Sequence, residues 1–264
     1  MHQNYIDGRF CDAPGAAAIA VLNPATGQRI ADIPDSDAAA VDAAVAAARA
    51  AQASWAKLPA IERAGHLRAI AAKIRANEAG LARTITEEQG KLLGLATVEV
   101  RFTADYLDYM AEWARRYEGE IIQSDRPGET IFLFRQPIGV IGGILPWNFP
   151  FFLIARKLAP ALVTGNTIVI KPSVETPLNA AAFARLVSET DLPAGVFNLV
   201  HGRGAKVGKA LASHPGIGMV SVTGSVAVSF RLSFTVTFTV PLNAAVGVPL
   251  SVHPFVPPRL RVPG

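Results

Sequence analysis

Apolar and polar positions change period several times along this chain, and each change marks an expected element boundary. From Tyr5 to Pro34, short runs are broken by turn residues, Asp7-Gly8 within YIDGRF and then NPATG before ADIP, which predicts an edge hairpin system. An alanine-rich stretch follows, expected as a helix capped by Asp35 or Ser36 and running toward Ala53. Pro59 is expected to open a second helix with Leu67, Ile70 and Ile74 at helical spacing. Leu81 and Ile85 continue a buried face up to a stop at Gly90. Val98, Phe102, Tyr106 and Met110 recur every four residues, with Trp113 beyond them and Gly119 as the helix end. This aromatic stripe is expected in the core.

Between Glu120 and Gln136 the period becomes strand-like. EIIQ and TIFLFRQ flank the Asp125-Arg126-Pro127-Gly128 turn, which predicts a two-stranded ribbon. Such a ribbon is marginal in water by itself and needs another surface; a hairpin packed on its own domain is the alternative.

From Gly139 to Pro172 the chain reads strand, turn, helix, strand. Val140, Ile141, Ile144 and Leu145 suit a strand buried on both faces, and Pro146 stops it. Pro150 stands where a helix could begin, Gly165-Asn166 ends that helix, and TIVI from Thr167 to Ile170 forms the next strand. Further on, Pro177 to Glu189 reads as a helix, VFNLV as a strand, Gly204 to Ala212 as a helix and Gly218 to Val222 as a strand. The alternation predicts an α/β fold with a Rossmann-like parallel sheet and flanking helices, left incomplete at its last strand, with the ribbon as a protruding β-hairpin.

In open sheets of this kind, chemistry gathers beyond the carboxyl ends of the strands. Trp147, Asn148 and Lys171 fall there. The Asn148 amide can donate to a developing oxyanion without titrating, and the Lys171 ammonium could reach a ribose hydroxyl or a phosphate. Taken singly, an Asn in a turn is commonly a backbone bonder and a Lys at a strand end commonly a solvated charge. Gly202, Gly204 and Gly208 form a G-x-G-x-x-x-G run between strand and helix, one residue longer in its second step than the usual dinucleotide fingerprint.

Composition narrows the classes. Half of the 264 residues are hydrophobic and 17% are charged, which fits a globular chain with a sizeable core. The net charge of +4 is spread without basic runs or interleaved aromatics, so no nucleic-acid partner is expected. The N-terminus lacks an apolar signal core and no stretch reaches the length of a membrane span; a soluble cytoplasmic protein with no membrane partner is the expectation. The single cysteine, Cys11, excludes an internal disulfide and a cysteine metal cluster.

The ILPWNFP and TGNTIVIKPS segments, at this separation, resemble the aldehyde dehydrogenase superfamily. FTADYLDYMAEWARRYEGEIIQSDRPGE, from Phe102 to Glu129, is similar to its lactaldehyde and glycolaldehyde dehydrogenase branch. The resemblance covers about Tyr5 to Val228, the front portion of such an enzyme. It implies oxidation of a short 2-hydroxy aldehyde, such as lactaldehyde or glycolaldehyde, to the acid with NAD. It makes Asn148 the oxyanion donor and places Leu145, Lys171, Ser173, Gly204, Gly208, Lys209 and Ser225 around the cofactor. Ser225 would lie in a VTGS turn, where its hydroxyl and helix-start amides could hold a pyrophosphate. Arg156 is the implied substrate residue: Asn148, Phe152 and Arg156 are four apart, so a helix would stack them on one face. The resemblance also assigns the 120–136 ribbon to subunit assembly, hence a homo-oligomer.

Two departures matter. The family commonly carries Glu three residues after the lysine, and here Val174 stands there with Glu175 next, which leaves NADP open beside NAD. The family's E-L-G-G-K glutamate base and catalytic cysteine have no counterpart either. From Ser229 the text turns proline-rich, with no acid or lysine, and reads as a frame-shifted or unrelated tail over 229–264 beside a 1–228 dinucleotide-binding domain. Its SFTVTFTV run could form an exposed strand. Two functional classes follow: an aldehyde dehydrogenase by descent, inactive in isolation, or a non-catalytic nucleotide-binding or assembly module.

Overall fold

The computed structural model describes residues 2–227 and 233–241, with 225–227 and 233–241 as backbone only. Two hairpins open the chain: β1 (Asn4–Ile6) with β2 (Arg9–Cys11), and β3 (Ala18–Leu22) with β4 (Arg29–Pro34). Asp7 and Gly8 both take positive φ, 52° and 72°, as a two-residue hairpin turn requires. Four helices follow, α1 (Ala38–Lys57), α2 (Ala60–Ala76), α3 (Glu78–Gln89) and α4 (Leu93–Glu112), the last ending in a 3-10 turn over Trp113–Arg115. β5 (Glu120–Gln123) and β6 (Thr130–Leu133) form the ribbon. Then come β7 (Val140–Ile144), α5 (Phe152–Val163), β8 (Thr167–Lys171), α6 (Leu178–Ser188) and β9 (Phe197–Leu199). A π-helical turn, Gly204–Gly208, leads into α7 (Lys209–Ser213), followed by β10 (Met219–Ala227) and β11 (Ser233–Pro241).

The main sheet has the order β11-β10-β7-β8-β9-β1-β2. β10, β7, β8 and β9 are parallel; at the margins β11 and β1 run against them, and β2, paired antiparallel with β1, closes the far edge. The chain moves outward from β7 to β9 and then returns to place β10 on the other side of β7, so the strand order reverses between β7 and β10. One face carries a core of residues from α2, α4, α5 and α6, with Phe151, Phe183 and Leu107 among the fully buried. On the other, Val41, Val45 and Ala48 of α1 pack with Val140, Val169, Val200, Leu211 and Val220. Burial on both faces explains why the central strands read as continuous apolar runs.

Several expectations are corrected. The cap of α1 is Asp37, whose Oδ1 accepts from Ala39 N and Ala40 N at 3.0 and 3.3 Å. Ser36 is instead bonded to Asn4 Nδ2, and Asp35 to the segment after β9. The aromatic stripe of α4 is not the core face. Ala96, Val100, Thr103, Ala104, Leu107 and Ala111 are buried, whereas Val98 and Phe102 are exposed and Tyr106 and Met110 half-buried. A four-residue step rotates about 40° past a full turn, so a strict four-residue repeat winds around the helix rather than lining one face. Small residues face the neighbouring helices instead and permit close approach.

The sheet does not end near Val222. β10 continues to Ala227, and β11 pairs with it from Met219↔Pro241 to Ala227↔Ser233. The first part of the expected tail thus supplies a strand; residues 242–264, the rest of that expectation, lie outside the described residues. No helix among the described residues is long and apolar enough to cross a membrane.

Candidate functional site

The strand order reverses between β7 and β10, the kind of place where an open parallel sheet receives ligands beyond the carboxyl ends of its strands, and the turn from Leu145 to Phe151 follows β7 there. Leu145 is buried, and its N–H donates to Lys171 O at 3.0 Å, carrying the β7–β8 pairing one residue past the strand. Gln89, the last residue of α3, donates through Nε2 to Trp147 O and Asn148 O at 2.9 and 2.8 Å. Lys91 donates to Asn148 O at 3.1 Å and lies 4.2 Å from the centre of the Phe149 ring. The backbone of this turn is therefore held from the helical layer. Asn148 is half-buried, and its Oδ1 accepts from Phe149 N at 3.1 Å. That bond settles which end of the amide is oxygen and sets the NH2 as the side chain's donor end.

The helix after this turn has no capping side chain of its own. Glu99 of α4, fully buried, accepts from Phe151 N and Phe152 N at 2.9 and 3.1 Å and pairs with Lys91. One carboxylate thereby ties the start of α5 to the lysine that holds Asn148. Glu88 does the same for α6, accepting from Leu178 N, Asn179 N and Asn179 Nδ2 at 2.6, 2.9 and 2.6 Å. Burial pushes its carboxyl up to about 7, against those hydrogen bonds.

The expected stack of Asn148, Phe152 and Arg156 is corrected: Asn148 precedes α5, Phe152 is buried against the rings of Phe102 and Tyr106, and only Arg156 is exposed. Arg156 has no hydrogen bond or ion pair among the described residues. It borders a cleft of ≈ 630 Å³ with Tyr117, Lys157, Met219 and Ser221.

Lys157 was not singled out from sequence. It is buried, and Nζ donates to Ser221 Oγ and Thr223 Oγ1 at 2.9 and 2.8 Å, strapping α5 to β10. Burial, then the charge of Arg156, draws it down to about 8. A lysine inside the apolar run FFLIARKLAPALV was the available signal, since a cation amid such residues needs partners.

Lys171, at the end of β8, is buried, and its ammonium has no hydrogen bond or ion pair among the described residues; burial draws it down to about 8. His201, just past β9, is fully buried with both ring nitrogens unpartnered among the described residues. Burial, with His2 and Lys171, holds it down to about 3. Ser173 Oγ accepts from Glu175 N at 3.2 Å. Gly204, Gly208 and Lys209 lie in the π turn and at the first residue of α7. A Cβ on Gly204 or Gly208 would meet nothing within 4 Å; the glycine requirement sits at Gly202, where φ is 144° and a Cβ would lie 2.6 Å from Val207 Cγ2. Asp35, also missed as a site residue, accepts from Arg203 N at 3.0 Å and from Arg203 Nη1 and Lys206 Nζ at 2.8 Å each. Burial opposes its ionisation, yet these donors hold its carboxyl below the usual range. Gly224 and Ser225 stand within β10, not in a turn before a helix, because the ladder to β11 continues through Gly224↔Val236 and Ser225↔Thr235. The pyrophosphate cradle expected there is absent among the described residues.

The buried Lys171 ammonium and the Ser173 hydroxyl are of the chemistry that would hold ribose or phosphate oxygens of a dinucleotide, while no helix start follows Ser225 among the described residues. Cys11 lies on β2, four strand positions from β7, about 19 Å at ~4.8 Å per strand. No group of His, Cys, Asp and Glu among the described residues could hold a metal ion.

Residues 10–239 match the model of the aldehyde dehydrogenase family. The chain is 62% identical over 227 residues to lactaldehyde dehydrogenase of Escherichia coli (strain K12), which covers 86% of this chain and 47% of that protein. The crystal structure of lactaldehyde dehydrogenase from Escherichia coli superposes with a TM-score of 0.82 at 62% identity, over 83% of this chain and 46% of that one. A 3,6-anhydro-L-galactose dehydrogenase in complex with NAP gives 0.80 at 41% identity, over 83% and 46%. The chain spans about half the length of the curated relatives it matches.

Proposed function

Because the chain belongs to the aldehyde dehydrogenase family, we propose that it carries the dinucleotide-binding part of an enzyme oxidising short 2-hydroxy aldehydes, such as lactaldehyde or glycolaldehyde, to carboxylic acids with NAD or NADP. The observation that carries this reading is Asn148, its backbone carbonyl held by Gln89 and Lys91 and its side-chain Oδ1 by Phe149 N, at the strand-order reversal one strand from Lys171. Asn148 would donate to the oxygen of the aldehyde as it gains negative charge, which a neutral, oriented amide does without a proton transfer of its own. Bound dinucleotide supplies the acceptor for the hydride. Leu145, Lys171, Ser173, Gly204, Gly208 and Lys209 would line the cofactor, Ser225 joining them on motif alone. Arg156, exposed and unpaired at the cleft beside Lys157, would bind the hydroxyl oxygen of a short polar aldehyde. The 62% identity to a lactaldehyde dehydrogenase supports that substrate class.

These 264 residues alone bind but do not turn over. Their single thiol lies at the far margin of the sheet from Asn148, and 229–264 contain no acidic residue to serve as base. Calorimetry with NAD and NADP, beside an assay of aldehyde-dependent NADH or NADPH formation, tests this. Dinucleotide binding without turnover is expected. Turnover that persists in Cys11→Ala after rigorous repurification overturns the inactivity; absence of any dinucleotide binding overturns the functional reading.

A further inference from the structure

We propose that the outer edge of β11 takes a second copy of this chain, the two β11 strands pairing antiparallel about a two-fold axis at Thr237 so that two seven-stranded sheets become one. β11 is the last strand of its sheet and pairs with β10 alone among the described residues. Its other side therefore presents a row of backbone N–H and C=O groups, a template for a further strand.

The two margins of the sheet are built differently. β2, at the far edge, has three residues and carries Arg9, and a short, charged strand blunts pairing. β11 has nine residues, and its ladder with β10 runs through nine pairs without a register shift, whereas the β3–β4 ladder shifts between Val21 and Leu22. From Ser233 to Val240 the sequence SFTVTFTV holds no charge, glycine or proline, and its Val, Thr and Phe favour strands. Charge, bulge and shortness, the devices that keep an edge single, are all missing from this stretch.

The β10–β11 pair also outruns its support. β10 pairs with β7 from Met219 to Val222, yet with β11 as far as Ala227. Beyond Val222 the sheet is two strands wide there, and two strands by themselves are marginal in water. A further strand on β11 makes the extension four strands wide and satisfies the edge groups of both copies at once. A second copy fits because antiparallel pairing about a two-fold axis is self-complementary. Thr237 meets its own counterpart, and Ser233 meets Pro241 of the partner subunit, where the missing N–H costs a bond at the strand end alone. No like charges oppose each other, since Ser233 to Val240 carry none.

The test is disulfide formation across the axis in the full chain, with Cys11→Ala removing the single native thiol. In that background Thr237→Cys is expected to give a covalent dimer under mild oxidation, because directly opposed residues hold their Cβ atoms about 4.5–5.5 Å apart, near disulfide reach. Ser233→Cys is expected to remain monomeric on the same non-reducing gel: its counterpart lies eight positions along, about 27 Å at ~3.4 Å per residue. Thr237→Lys and Thr237→Asp, each placing like charges on the axis, should each halve the mass seen by sedimentation, and mixing the two variants should restore it. The β5–β6 ribbon is unaltered in all of these, so any contact it makes is common to them. Absence of the Thr237 cross-link, equal cross-linking at both positions as parallel in-register stacking would give, or a mass indifferent to the two charges overturns the proposal.

Discussion

Glu99 Oε1 receives the backbone N–H of Phe151 at 2.9 Å across 52 residues of sequence, so a carboxylate of α4 caps a helix of the sheet layer. The same side chain pairs with Lys91, whose ammonium holds the carbonyl of Asn148. The site turn is therefore positioned by a group that would never touch a substrate.

Glu99→Ala leaves Lys91 without its carboxylate and exposes two N–H groups at the start of α5. A loss of about 3 to 5 kcal/mol is expected in urea unfolding. Glu99→Gln keeps an acceptor for the two N–H groups and should lose less. In both variants the amide resonances of Trp147, Asn148 and Phe149 should shift; if they stay in place while stability falls, the carboxylate does not position the turn.

Glu88 gives a pH dependence with a definite sign. Its folded value of about 7 lies above an ordinary 4.5, so the native state binds more protons than the unfolded one between those values. This group's stabilising contribution is full below pH 4.5 and is lost as pH rises through 7, about 3 kcal/mol in all. Glu88→Gln should flatten that part of the stability profile. A profile that retains its full slope in the variant assigns the slope to other groups.

Lys157 acts in the opposite direction at higher pH. Its folded value of about 8 lies below an ordinary 10.5, so the unfolded state binds more protons across that window and stability should rise with pH there. Lys157→Met should remove its share of the alkaline rise together with the bonds to Ser221 and Thr223. Unfolding midpoints measured from pH 7.5 to 10.5 decide this.

The β5–β6 ribbon exposes Ile121, Ile131, Phe132 and Phe134, with Ile121 74% accessible. A patch of this kind on a hairpin that cannot bury it alone fits self-association. Ile121→Glu combined with Phe132→Glu is expected to lower the mass seen by sedimentation at micromolar protein while leaving the unfolding free energy within about 0.5 kcal/mol, as for surface changes. An unchanged mass distribution removes the ribbon from the interface.

The strand–helix–strand run around Asn148, the helix start at Pro59, the helix stop at Gly90 and the ribbon were all legible, though not the break at Asn77 between α2 and α3, because each depends on residues a few positions apart: an apolar run, a proline, or a glycine able to take positive φ, as Gly165 does at 86°. The family was legible too, through the two segments that carry Asn148 and Lys171. The exposed side of α4 was not. A four-residue repeat shows a stripe but not which neighbours the helix meets, and α2, α3 and α5 claimed its small-residue face. Nor could sequence show that Ser225 sits in a strand, since β11 draws it there by pairing.

The sequence by itself determined the order of helices and strands as far as β10 and which side chains could do chemistry, since propensity, turn residues and motif spacing are local. The tertiary structure decided which groups are paired. Glu88 with Asn179, Glu99 with Phe151, Asp35 with Arg203 and Lys157 with Ser221 join positions 52 to 168 residues apart. It also left the Lys171 ammonium without a partner among the described residues. A buried charge is satisfied by whatever the packed layers bring within about 3 Å, and that proximity exists only once the helices close over the sheet.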